Sequence, residues 1–117
     1  MRYETEQIGG ALVVKLYGEI DQHCVSEIRD DIDRQIAIRN INSLIVDLGG
    51  VEFMDSSGIG FIIGRYKTVS ALGGKLSIAS PSKEADRILS ISGIYRIIKS
   101  YKSVDDAILG INQEVHN

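Results

Sequence analysis

SLIVDLGG at residues 43–50, VEFMDSSGIGFIIGRYK at 51–67 and KLSIA at 75–79 decide the fold of this chain. Ser43 to Leu48 is mostly apolar on both faces and is bounded by Asn42 and Gly49-Gly50, which suits a central strand covered on two sides. Helical periodicity runs from Ser56 to Leu72, and after the Gly73-Gly74 turn Lys75 to Ala79 reads as another strand. A strand, a helix and a strand in that order form a parallel crossover.

The same alternation extends outward in both directions. Toward the N-terminus, Arg2 to Gln7 is a possible edge strand, Gly9-Gly10 a turn, and Ala11 to Tyr17 a strand stopped by Gly18. Val25 to Ile38 carries Val25, Ile28, Ile32 and Ile36 at spacings of three and four, the apolar stripe of an amphipathic helix. Its Glu27, Arg29, Asp30, Asp31, Asp33 and Arg34 read as a solvated face, and the acidic spacing lacks the glycine and terminal Glu of a calcium loop. Toward the C-terminus follow a helix over Lys83 to Ser90, a short strand over Tyr95 to Ile98 after Gly93, and a helix over Val104 to Val115, with His116 read as solvated. The expectation is one α/β domain over residues 1–117.

Composition narrows the function. With 117 residues, a domain buries roughly 65% of its unfolded surface, enough for a core without disulfides or a structural metal. Thirteen Lys and Arg against 16 Asp and Glu give a net charge of -3, without the basic bias that phosphate-backbone binding needs, so no direct nucleic-acid partner is expected. One Cys and two His are too few for a Cys/His zinc site, and the lone thiol fits a reducing cytosol. No apolar run approaches the roughly 20 residues of a membrane span, and MRYETEQIGG has no apolar signal region. The expectation is a cytoplasmic protein with no membrane partner, no metal and no cofactor of its own.

The candidate site lies at the start of the 56–72 helix. Ile59, Ile62, Ile63, Tyr66 and Val69 form a stripe expected to face the sheet. The opposite face holds Phe61, Gly64, Arg65 and Thr68, with Gly58 and Gly60 at its edges, an aromatic beside missing side chains. Interior helical glycines each cost about 0.5–1 kcal/mol relative to Ala. Two readings fit: a face that another molecule approaches closely, or glycines that let the helix pack on its own sheet with Phe61 in the core. Asp55, Ser56 and Ser57 stand at the turn into this helix, where one oxygen-bearing side chain caps it. A hydroxyl left over there sits where the helix dipole stabilises added negative charge by about 0.3–1 kcal/mol. GIGFIIG is not a dinucleotide fingerprint, the loop before it has no P-loop lysine, and DSSGIG is not a G-x-S-x-G elbow.

GEIDQHCV at residues 18–25 places Asp21, Gln22, His23 and Cys24 on a loop after a strand end. In a parallel sheet that loop lies on the same edge as the Asp55 loop. His23, Asp21 and Ser56 can be drawn as a small hydrolase or phosphocarrier site, without an evident oxyanion hole.

Taken together, GEIDQHCV, FMDSSGIGFIIGRYK, GGKLSIASPS and ISGIYRIIKS resemble the STAS domain of bacterial anti-sigma factor antagonists across essentially the whole chain. The resemblance implies a small mixed β-sheet of four to five strands flanked by about four helices. It also implies a non-enzymatic partner switch. The unphosphorylated protein binds an anti-sigma factor that is also an ATP-dependent serine kinase, so that ATP or ADP belongs to the partner, and this frees a sporulation sigma factor. The family's phosphoacceptor falls on Ser56, a separate serine phosphatase removes the phosphate, and the family's functional aspartate falls on Asp21. Gly60 and Arg65 match positions of the family's partner-facing helix, so Asp21, Asp55, Ser57, Gly58, Gly60, Phe61, Gly64 and Arg65 are the expected partner-binding residues. The chain departs from the family's G-E-L-D-H-H-T pattern at Ile20, Gln22 and Cys24, which leaves the exact partner open. General-stress antagonists and STAS subunits of membrane transporters share the scaffold.

Overall fold

The structure, a computed structural model, describes residues 2–115, so His116 lies outside the described residues. Strands β1 (Arg2–Ile8), β2 (Ala11–Ile20), β3 (Ser43–Met54), β4 (Leu76–Ala79) and β5 (Lys99–Tyr101) alternate with helices α1 (Gln22–Ile38), α2 (Ser56–Ala71), α3 (Lys83–Ser92) and α4 (Val104–Val115). The strands lie side by side in chain order, β1 antiparallel to β2 and every later pair parallel. This is the expected mixed sheet with four helices.

Alternation along the strands sorts the core into two clusters. Leu12, Val14 and Leu16 of β2, with Leu44, Val46 and Leu48 of β3, pack against Ile28 and Ile32 of α1, Ile62 and Val69 of α2, and Leu89 of α3. Val13, Ile45 and Ala79 point the other way and are covered by Ala107 and Ile111 of α4. The central strands are thus apolar on both faces because both faces are covered.

Four boundaries differ from the sequence reading by three residues or more. Helix α1 begins at Gln22 and not at Val25, so Gln22, His23 and Cys24 stand on its first turn and not on a loop, because the Asp21 side chain caps the helix there. Gly18 does not stop β2, which continues through φ +82° at Gly18 to Ile20, with its register to β3 shifting between Lys15 and Tyr17 and between Gly18 and Glu19. Nor do Gly49 and Gly50 end β3, which runs on to Met54. A Cβ on Gly50 would come within 2.4 Å of Tyr17 Cδ1, so glycine there lets the Tyr17 ring lie over the neighbouring strand. The expected strand at Tyr95–Ile98 is a 3-10 turn, Ile94–Arg96, and β5 begins at Lys99. Gly93, at φ +80°, ends α3, and Ile94 and Ile98 both turn inward, a spacing of four instead of strand alternation.

Candidate functional site

The lengthened β2 and β3 bring the two candidate loops together. Ile20 pairs with Met54 in register, so Asp21 and Asp55 leave the sheet at the same height, and the Asp55 N–H donates to the Ile20 carbonyl at 3.4 Å. Each aspartate caps the helix that follows. Asp21 Oδ1 accepts from the backbone N–H of His23 (3.0 Å) and of Cys24 (3.3 Å), and Asp55 Oδ1 accepts from the Ser57 N–H at 2.8 Å. The cap expected among Asp55, Ser56 and Ser57 is therefore Asp55, and Ser56, the first residue of α2, is exposed with its hydroxyl outside the capping bonds.

Cys24 completes the cap of α1. Its Sγ lies 3.4 Å from the Asp21 N–H as acceptor, and its thiol donates to Asp21 Oδ1 at 3.2 Å. The thiol and the two backbone N–H groups hold the Asp21 carboxyl below its ordinary 3.8, against an opposing effect of burial. Asp21 therefore serves the backbone of His23. Among the described residues no hydrogen bond joins the His23 imidazole to Asp21 or Ser56, so the relay drawn from the sequence is not the arrangement present.

The face of α2 opposite the expected stripe is not a free surface. Ile62 and Val69 are buried as expected, with Ile59, Ile63 and Tyr66 half-buried against the core, but Gly58, Phe61 (5% exposed) and Arg65 (7% exposed) are buried as well. Helix α2 is flanked by α1 and α3 as well as by the sheet, so more than one of its sides is covered. The exposed aromatic beside the site is Phe53, half exposed at the end of β3, and not Phe61. Gly58 has an internal reason: a Cβ there would lie 2.4 Å from Met54 Cγ and 3.4 Å from Ile20 Cγ2, so the helix start rests directly on the strand ends. Gly60 and Gly64 have none, since a Cβ on either would meet nothing within 4 Å. Of the two readings open in the sequence, packing accounts for Gly58 and Phe61, and an unfilled outer face remains at Gly60 and Gly64.

Arg65 reaches across to α1, where its Nε lies 2.9 Å from Asp33 Oδ1 and its guanidinium stands 5.4 Å from the Phe61 ring. Burial lowers its pKa from the usual arginine value, with Asp33 opposing. Its Nε and Nη1 are buried without an aligned hydrogen-bond acceptor among the described residues.

Between the first turns of the two helices runs an open groove of about 500 Å³. Gln22, Val25, Ser26 and Arg29 of α1 form one wall, an i, i+3, i+4, i+7 set of which the sequence pointed to Gln22 as a departure at the interface rim, while Val25 was assigned to the apolar stripe, Arg29 to the solvated face, and Ser26 was missed. The signal was present in that spacing just after the Asp21 cap. Ser57 and Gly60 form the other wall, with Phe61 and Arg65 toward the floor.

Comparison with known proteins bears on the family and the fold. The STAS domain family matches residues 2–107. An anti-sigma F factor antagonist of Paenibacillus polymyxa is 33% identical over 108 residues, covering 92% of each chain. The solved structure of the anti-sigma factor antagonist SpoIIAA in its unphosphorylated form superposes with a TM-score of 0.86 at 26% identity, over 96% of this chain and 97% of that one. The Bacillus cell fate determinant SpoIIAA in its phosphorylated form superposes with a TM-score of 0.75 at 28% identity, over 92% and 96%.

Proposed function

The chain belongs to the STAS domain family, and from that premise we propose that it is an anti-sigma factor antagonist switched by phosphorylation of Ser56. Unphosphorylated, it binds an anti-sigma factor that is also a serine kinase and so releases a sporulation sigma factor. Transfer of the γ-phosphoryl group of the partner's ATP to Ser56 Oγ, with loss of the hydroxyl proton, ends binding, and a serine phosphatase restores the free hydroxyl. The protein acts by binding, and it works in the cytoplasm.

One observation carries this reading. Asp55 caps α2 through the Ser57 N–H, which leaves the exposed Ser56 hydroxyl unused at the positive end of the helix dipole. A phosphate there adds about -1.5 to -2 charges at pH 7 without displacing the cap. The names of the relatives, and the existence of one of them in both forms, point the same way.

Incubation with the cognate anti-sigma factor and ATP, followed by mass spectrometry, tests the reading. The expected product is one acid-stable phosphate on Ser56, none on Ser57, and none on a Ser56→Ala variant. Acid-labile phosphate on His23 would instead indicate a phosphocarrier.

A further inference from the structure

Resting on the proposed function, we infer that the groove between α1 and α2 seats an acidic segment of the anti-sigma partner, with Arg29 as the residue that recognises its carboxylate. The chain as a whole carries -3, yet the groove is lined by two guanidinium groups, Arg29 and Arg65, and by no carboxylate. Its lining includes Gln22 and Ser57 in the N-terminal turns of α1 and α2, whose dipoles add positive potential at that end. A positive cleft on a negative protein selects a negative occupant.

The floor supplies an independent observation. Arg65 is more than nine-tenths buried, and its Nε and Nη1 have no aligned acceptor among the described residues. Asp33, the carboxylate paired with it among the described residues, is 41% exposed in its side chain, while the Oδ1 that faces Arg65 is buried. Arg29 is half exposed and, among the described residues, is ion-paired with the exposed Asp30 at 3.4 Å, a contact that competes weakly. The wall facing Arg29 includes Gly60, over which there is open space, so a segment entering the groove can approach the α2 backbone closely.

This placement gives the switch a physical form. Ser57 lines the groove and the exposed Ser56 precedes it as the first residue of α2, so a phosphate on Ser56 brings negative charge close to the acidic segment. Like charges repel across that contact, and attraction and repulsion are both screened by salt.

The test is calorimetric titration of the unphosphorylated full chain with the cognate anti-sigma factor and ADP, across a series of salt concentrations. Wild-type affinity should fall as salt rises. Arg29→Glu should bind at least about tenfold more weakly at low salt, with a much flatter salt dependence. Arg29→Lys should retain most of the affinity, and Arg87→Glu, an exposed charge change on α3, should bind like wild type. Circular dichroism establishes that each variant is folded. Wild-type affinity and salt dependence in Arg29→Glu overturn the inference while leaving the proposed function standing, as does an equal loss in Arg87→Glu, which would indicate a general charge effect. Absence of binding by the wild-type chain overturns the proposed function and this inference with it.

Discussion

Gly58 and Gly60 lie two positions apart in α2, and the space around them gives their substitution opposite signs. A methyl group on Gly58 is driven into Met54 and against Ile20, and overpacking of this kind costs about 1–3 kcal/mol. A methyl group on Gly60 meets nothing, so Gly60→Ala should stabilise the fold by about 0.5–1 kcal/mol, the ordinary helical advantage of Ala. Urea denaturation of the two single variants measures both signs. Gly60→Asp should remain folded by circular dichroism yet lose the anti-sigma partner, because it places bulk and negative charge in the groove. Joint loss of folding and binding would mean that packing, not contact, selects glycine there. At Ser56, Ser56→Ala should bind without being phosphorylated and so release the sigma factor constitutively. Ser56→Asp should weaken binding less than phosphate does, since it carries one charge and fewer oxygens. Titration of these variants and the phosphorylated protein against the partner checks the order.

At the scale of elements, two junctions hold α1 and α2 where the site needs them. The Asp55 cap is one, and Asp55→Ala should cost about 0.5–2 kcal/mol in urea denaturation, with Ser57→Ala nearer neutral. The other ties α1 to the edge strand: the Tyr3 hydroxyl donates to Asp31 Oδ2 at 2.7 Å, and Arg34 and Gln35 donate to the same carboxylate. These bonds, that from Tyr3 foremost, hold the Asp31 carboxyl below its ordinary 3.8. A group lowered in the folded state contributes stability above its ordinary value and loses it as pH falls through the folded one. The same bond raises the Tyr3 hydroxyl above its ordinary 10.0, so its contribution is present below that value and is lost as pH rises through the folded one. Tyr3→Phe should therefore flatten both limbs of the curve of urea midpoint against pH, below 3.8 and above 10.0. An unchanged acid limb would show that Asp31 is stabilised without Tyr3.

For the whole molecule, β2 and β3 contribute to both core clusters, Leu12 and Leu44 to one and Val13 and Ile45 to the other. The two layers share a backbone, so they should unfold as one unit. Ile45→Ala, under α4, should cost about 2–5 kcal/mol, and it should lower the thermal midpoint of the entire protein in a single transition. A separate early transition would show that α4 detaches alone. Phosphorylation of Ser56, by contrast, adds charge at an exposed helix start and should leave the far-ultraviolet dichroism unchanged, so that loss of binding is local.

Much of this architecture was legible in local chemistry. A double-sided apolar run marked β3, three- and four-residue spacing marked α1 and α2, and the short oxygen side chains at Asp55, Ser56 and Ser57 marked the start of α2, because each of these depends on neighbours within a few residues; the start of α1 was read three residues late, at Val25 instead of just after Asp21. The unfilled space at Gly60 and Gly64 was likewise foreshadowed by their helical cost. What the chain could not show locally was which way α2 faces. Phe61 and Arg65 look like surface residues until α1 is docked, since Asp33, which pairs with Arg65, is 32 positions away and on another element. The shift of β5 to Lys99–Tyr101 has the same origin: a three-residue polar strand exists only because β4 offers it a ladder, Ser77 opposite Lys99. Local interactions chose the elements of this protein, and burial between distant elements chose their faces, their ends and the groove that lies between two of them.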